Sequence, residues 1–216
     1  MIVWHDSSMG DPLNDLEALR AHAAARLSAH RHTTLPDTPG IRRAAVALCV
    51  VGHGGAPSVI VIKRAYRGRN AGQWALPGGR LEAGETPLQA ALRELHEEIG
   101  LTAAPDAVLG RLDDFPAASN FTITPLVVAV RDPGPLTPSA EEVHSVHHVP
   151  LHRLAAPDAV RWVPQPDGGQ LLQMHLGPRM VVHAPTGALL WQFREVVLLG
   201  RTARVADFLQ PEWTHR

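Results

Sequence analysis

The chain has 216 residues, 20 lysines and arginines against 21 aspartates and glutamates, and a formal net charge of −1. That balance gives no electrostatic basis for binding bulk nucleic acid or a membrane surface, and the length suffices to bury a substantial core. A single cysteine, Cys49, excludes an intrachain disulfide framework, and MIVWHDSSMGD at the start reads as no signal peptide, so a soluble cytoplasmic protein without a membrane span is expected.

Residues 11–31 (DPLNDLEALRAHAAARLSAHR) read as an alanine-rich amphipathic helix. Leu13, Leu16, Leu19, Ala23 and Leu27 form its stripe, and Asp11 or Asn14 is the expected cap. TTLPDTPG is a linker, so a helical extension over 1–40 precedes the main domain at 41–216. RRAAVALCVV (42–51) is a continuous apolar run of strand length, and SVIVIKR, across the turn HGGAPS, is its hairpin partner. Cys49 inside that run reads as a buried thiol, not a nucleophile. The following loop, RAYRGRNAGQWALPGG, carries Arg64, Arg67 and Arg69, whose guanidinium forks match phosphate oxygens.

A helix with strong signals at both ends comes next, in GRLEAGETPLQAALRELHEEIGL (79–101). Thr86 caps it, Pro87 takes the first helical position, Gln89 completes a capping box, and Gly100 supplies the left-handed residue after it. Leu88, Ala91, Leu92, Leu95 and Ile99 make the buried stripe. Glu94 and Glu98 share another face, with Glu97 one position round. Like charges at this spacing repel, and a divalent metal is the natural compensation.

Downstream, AVLGRLDDF and FTITPLVVAV read as two strands joined by the turn PAASN. EEVHSVHHVPL is a further strand running into a short turn or helix near 151–154. His144 and His148 face one side of it and His147 the other, with no Cys or carboxylate at zinc spacing, so no histidine metal site is expected. Residues 161–192 read as short strands with PDGG and PTG turns, an extra hairpin. TARVADFLQ (202–210) reads as a terminal amphipathic helix capped by Thr202. The sum is an α+β chain, an α/β/α sandwich with its core over about 41–155 and a C-terminal hairpin and helix over 156–216.

The positions Gly79, Glu85, Arg93, Glu94, Leu95, Glu97, Glu98, Gly100 and Leu101 resemble the Nudix box, Gly-x5-Glu-x7-Arg-Glu-U-x-Glu-Glu-x-Gly-U with U bulky and aliphatic, at every defined place. The resemblance implies the Nudix fold, a mixed sheet between helices around a loop–helix–loop, and a hydrolase that cleaves a diphosphate linkage with metal-activated water. It implies Mg2+ or Mn2+ held by Glu94, Glu97 and Glu98 with the Gly79 carbonyl, Glu97 and Glu98 counting as catalytic. Glu85 and Arg93 are eight residues apart, about 12 Å along a straight helix, so they pair only if the loop folds back. Their implied role is orientation.

The flanking residues resemble the coenzyme A diphosphatase group of that family. Arg64, Arg69, Gly72 and Leu76-Pro77-Gly78-Gly79 follow its upstream motif, with Ala65 in place of Ser, Leu76 in place of Phe, and one residue fewer between Arg69 and Gly72. LGRLDDFPAASNFTITPLV, EEVHSVHHVPLHRL and GRTARVADFL resemble its later segments. This implies cleavage of coenzyme A to 3',5'-ADP and 4'-phosphopantetheine, with Arg64 and Arg69 on phosphates and Glu142 or Glu141 as base or added ligand. A small nucleoside diphosphate derivative is then the partner, and a homodimer is admitted. Hydrolysis of ADP-ribose or another substituted nucleoside diphosphate is the alternative, favoured by the shortened arginine loop. A nucleotide-binding regulator on the same scaffold predicts a broken box, and this box is intact.

Overall fold

The computed structural model describes residues 10–67, 70–166 and 168–211; Arg69 lies outside them. Helix α1 (Leu16–Ala29) is capped by Asp15, whose carboxylate accepts from the Ala18 amide, one residue past the expected caps. Its buried Leu19, Ala23 and Leu27 pack into the main core.

Strands β1 (Arg42–His53) and β2 (Ala56–Arg64) form the expected hairpin, closing at His53 and Ala56. β3 (Trp74–Ala75) and β4 (Gly78–Arg80) follow the arginine loop, and helix α2 (Pro87–Ile99) follows them. The next segment divides into β5 (Val108–Arg111), β6 (Phe115–Ala117) and β7 (Phe121–Val130), because Leu112 to Asp114 turn inward and leave the ladder. β8 (Val143–Pro150) runs into the short α3 (Leu151–Ala155) as expected.

Among the described residues these eight strands make one mixed sheet, with β3-β2-β1-β7-β5 in order, β4 on β1, β6 on β7 and β8 on β2. β1 lies parallel to β7 over Arg42–Val51 and Phe121–Val130. β4 pairs with Ala44, Ala45 and Val46 of the same strand, while β2 pairs with its far end at Val50 to His53.

Alternation along the strands explains the layers. Leu48, Val50, Val59 and Val61 point into one core with α1 and the C-terminal elements. Ala45, Ala47, Cys49, Val51, Ile60 and Ile62 point into the other, against Ala90, Ala91, Leu95 and Ile99 of α2. Both faces of the sheet are therefore covered, as continuous apolar strands require. The result is the expected α+β, α/β/α sandwich.

The short strands expected over 161–192 are present: β9 (Val160–Pro164) and β10 (Gln170–Gly177) pair antiparallel as a hairpin, and β11 (Met180–Val182) extends it to a separate three-stranded sheet. Two expectations fail: the PTG tripeptide begins a helix instead of a turn, and the terminal segment is not helical. That helix, α4 (Thr186–Phe193), continues into a π-type turn at Arg194–Leu198. TARVADFLQ forms no helix: Ala203 and Val205 are buried from irregular chain that turns at 206–207, and Gln210 exchanges hydrogen bonds with the Pro116 carbonyl and the Ala118 amide. Burial of alternate residues plus this backbone pairing outweighs a single turn's weak helical preference.

The inward-turning Asp113 and Asp114 hold the ends of the chain. Asp113 accepts from the Thr33 amide at 2.7 Å and from Arg204 at 2.8 Å, and His30 approaches it at 3.2 Å. Asp114 accepts from the Leu35 amide, Arg43, Arg111 and Thr124.

Candidate active site

Local sequence fixes α2 at both ends. The Thr86 hydroxyl accepts from the Gln89 amide, the Gln89 side chain accepts from the Thr86 amide at 2.9 Å, and Gly100 ends the helix at φ 70°. The buried face is rotated slightly from the sequence-derived stripe. Leu88 and Leu92 are half-buried, while Ala90 and Glu98 are buried. A charged residue thus takes a core position.

Glu98 lies against the turn that enters β4. Its Oε2 accepts from the Gly78 amide at 2.9 Å, and Oε1 faces the Arg64 guanidinium at 3.6 Å. Burial disfavours its charged form and pushes its pKa up to about 7; the Gly78 hydrogen bond and Arg64 oppose this, and Glu94 and Glu142 reinforce it. Glu94, one turn earlier, is raised by burial against the pull of Arg93. Its carboxylate fills the space where Gly79 lacks a side chain: a Cβ there would stand 2.5 Å from its carboxyl carbon.

Arg93 organises the loop. It donates to Glu85 through Nε at 2.9 Å and Nη2 at 3.0 Å, to the Arg80 carbonyl at 3.1 Å, to Glu94 at 2.9 Å and to Glu97 at 2.7 Å. Glu85 also accepts from the Glu82 amide. The loop does fold back, bringing Glu85 onto Arg93 across eight residues. Bidentate pairing of this kind fixes orientation as well as charge.

A cleft of about 330 Å³ opens over these groups, lined by Arg64, Arg67, Gly78, Gly79, Glu94, Glu98, Glu141 and Glu142. The structure thus brings together Glu94, Glu98, Glu142, Gly79 and Arg64. Glu97 does not line the cleft; its exposed carboxylate turns to Arg93. Arg67 is spent partly on the backbone, donating to the Ala140 and Glu141 carbonyls. The three strand histidines pair elsewhere, His148 stacking on His53, His147 against Trp74 and His144 against Tyr66.

Among the described residues no three His, Cys, Asp or Glu side chains converge as a preformed metal cage. Magnesium does not need one, because it binds through one or two carboxylates and completes its shell with water and substrate phosphate oxygens. Two clustered carboxylates with raised pKa values, one of them against the bare Cα of Gly79, fit that demand. Glu94, Glu98 and the Gly79 carbonyl are the groups that would hold the ion, while Glu97 stays paired with Arg93 outside the cleft.

Sequence reasoning missed the second half of the site. A cavity of about 670 Å³ adjoins the cleft and shares Arg64, Gly78 and Gly79 with it. Its walls include Trp74, Phe121 and Ile123 from the main sheet, and Val181, Thr186, Leu189 and Gln210 from the C-terminal elements. Reading PTG as a turn and 202–210 as a helix hid the residues that α4 and the terminal segment supply, and no local motif marks them.

A mixed-sheet α/β/α sandwich carrying its acidic site on a loop–helix–loop defines the class of protein. The chain belongs to the Nudix family: the NUDIX domain model matches residues 41–166. It is 34% identical over 113 residues to the uncharacterized Nudix hydrolase NudL of Yersinia pestis, and that match covers 51% of this chain and 56% of the relative. The same holds for NudL of Yersinia pseudotuberculosis, so the chain spans about half the length of the curated relatives it matches. The architecture is shared with a MutT/nudix family protein from Enterococcus faecalis, at 18% identity and a TM-score of 0.53 over 76% of this chain and 64% of that one. A Nudix hydrolase from Nitrosomonas europaea matches at 16% identity and 0.52, over 77% of each chain. Among the described residues no helix is long and apolar enough to cross a membrane.

Proposed function

We propose that the chain is a diphosphatase dependent on Mg2+ or Mn2+, hydrolysing coenzyme A or a derivative to 3',5'-ADP and 4'-phosphopantetheine. The observation that carries the reading is the pair Glu94 and Glu98 facing Gly78 and Gly79 in a cleft that Arg64 also enters. When bound, the divalent ion neutralises the diphosphate oxygens and makes a water nucleophilic at neutral pH. Arg64 supplies a fixed cation to the phosphate that takes up charge as the bond breaks. Arg69 is assigned the same task from the arginine loop. Glu142, exposed at the cleft rim, accepts the proton of the attacking water. Arg93 and Glu85 position the turn and keep Glu94 aimed at Gly79. Glu97 is held by Arg93 beside the cleft and joins the ligand set on release from that pair.

A turnover screen across coenzyme A, its acyl esters, ADP-ribose, dinucleoside polyphosphates and nucleotides tests the assignment. Coenzyme A with Mg2+ is expected to be cleaved fastest, to stop with a chelator and to resume with excess metal. Activity that survives chelation refutes the metal role. Preference for ADP-ribose refutes the substrate.

A further inference from the structure

The larger cavity is composite. One wall comes from within the family match, at Trp74, Phe121 and Ile123; the other comes from residues beyond 166, at Val181, Leu189 and Gln210. About 670 Å³ lies within the range of pockets that bury a small molecule, and the mouth at Arg64, Gly78 and Gly79 opens directly onto the carboxylate cleft.

Charge distinguishes the two ends. The cavity lining, among the described residues, contains no aspartate or glutamate to hold a cationic group. Among the described residues its two arginines both sit at the cleft end: Arg64 lines both spaces, and Arg80 directly follows Gly79 on β4. Farther in, the walls are aliphatic, aromatic or neutral polar, and burial lowers the pKa of His183, leaving it neutral at pH 7. A phosphate dianion placed there would lose its hydration with no fixed cation among the described residues to replace it. Arg67 lines the cleft but not the cavity. The Asn70 Oδ1 in the cavity wall is buried without a hydrogen-bond partner among the described residues, an acceptor that a ligand amide N–H would satisfy.

We infer that the composite cavity receives the uncharged end of the substrate, an extended amide-bearing chain of the pantetheine kind, while the phosphorylated adenosine end lies on the Arg67 side. Residues 181–210, outside the family match, then select the substrate while α2 performs the chemistry. This rests on the diphosphatase reading above.

Thr186→Trp and Val181→Trp place bulk in the cavity from half-buried positions, which limits damage to the core. Product inhibition by the two half-molecules, measured with Mg2+, reads which end each variant has lost. The inhibition constant for 4'-phosphopantetheine is expected to rise at least tenfold and that for 3',5'-ADP to stay within twofold. The reverse pattern, equal losses, or no change in either folded variant overturns the orientation. Calorimetry identifies a variant that does not fold, and labelling of the unaltered chain decides without variants. A diazirine-bearing 4'-phosphopantetheine is expected to mark peptides containing Trp74 and Val181; marking confined to Arg67 and Glu141 overturns the inference. If the unaltered chain does not cleave coenzyme A, the diphosphatase reading itself fails. If it does and the inhibition pattern is reversed, only the orientation fails.

Discussion

Gly79→Ala separates the site's geometry from the fold's stability. A Cβ at residue 79 would stand 2.5 Å from the Glu94 carboxyl carbon and 2.8 Å from Oε2, where carbon contacts relax at about 3.5–4.0 Å. The carboxylate must therefore retreat by roughly 1 Å, a misplacement that costs on the order of 10²-fold in rate when the displaced group works on the reacting centre. The backbone has no comparable complaint, because Gly79 adopts no left-handed conformation and the clash is with the end of a movable side chain. The stability loss is then limited to the weakened Arg93–Glu94 pair, about 1 kcal/mol, or roughly 2–4 °C for a chain of this size. Gly78→Ala is the control. Its Cβ would meet Val46 Cα at 2.6 Å, which is backbone, and its φ of 155° suits only glycine, so about 3 kcal/mol and a fall of roughly 6–12 °C are expected. Steady-state kcat/KM on coenzyme A with Mg2+, alongside thermal melting, reads both. Unimpaired kcat/KM in Gly79→Ala, or a melting loss as large as that of Gly78→Ala, would show that the Glu94 carboxylate is not where the chemistry needs it.

Glu98→Gln keeps an acceptor for the Gly78 amide but removes a charge that burial disfavours. Activity should fall by on the order of 10³-fold while the metal-free melting temperature at pH 8 holds or rises, and a large melting loss contradicts the burial argument. Arg93→Lys loses the two-point grip on Glu85 and is expected to lower kcat/KM about tenfold or more; activity equal to the parent's would mean the loop is held by other contacts. For Asp113, burial raises the pKa, but the hydrogen bonds from the Thr33 amide, Arg204 and Gln192 outweigh it and hold the carboxyl below its usual range. A group with a depressed folded pKa stabilises above its unfolded pKa, about 3.9, and loses that contribution as pH falls through the folded value. Asp113→Asn should therefore melt lower than the parent at pH 7, with the gap closing below about pH 4; a gap independent of pH rules out the ionic role. Burial pushes the Cys49 thiol up to about 12, so a disulfide reagent at pH 8 should label it only after denaturation, and rapid native labelling would place it outside the core.

What was legible in the sequence was what neighbours in the chain decide. The α2 caps are set by residues three apart, the β1–β2 hairpin by a short turn, and the Glu85–Arg93 pairing by a loop that must return to its own helix. The acidic box was readable for the same reason. The C-terminal elements were not. GALLWQFREVVLL has almost no polar face, so helical periodicity gives no signal, and the segment becomes a helix because it is enclosed on all sides. TARVADFLQ carries a capping threonine and an apolar stripe, yet long-range contacts with Asp113 and with the 116–118 backbone hold it out of a helix. The cavity walls at Val181 and Leu189 inherit that blindness.

Asp113 ties residue 33 and residue 204 to one buried carboxylate, so the segment leading into β1 and the segment after α4 share an anchor. Trimming either segment would strip that carboxylate of a partner and loosen the other's anchor too. Loss of the first 40 residues should then reach Gln210, whose side chain walls the substrate cavity, although no residue of α1 lines it. Because such a deletion also removes Leu19, Ala23 and Leu27 from the core, it would cost stability together with the shape of the cavity.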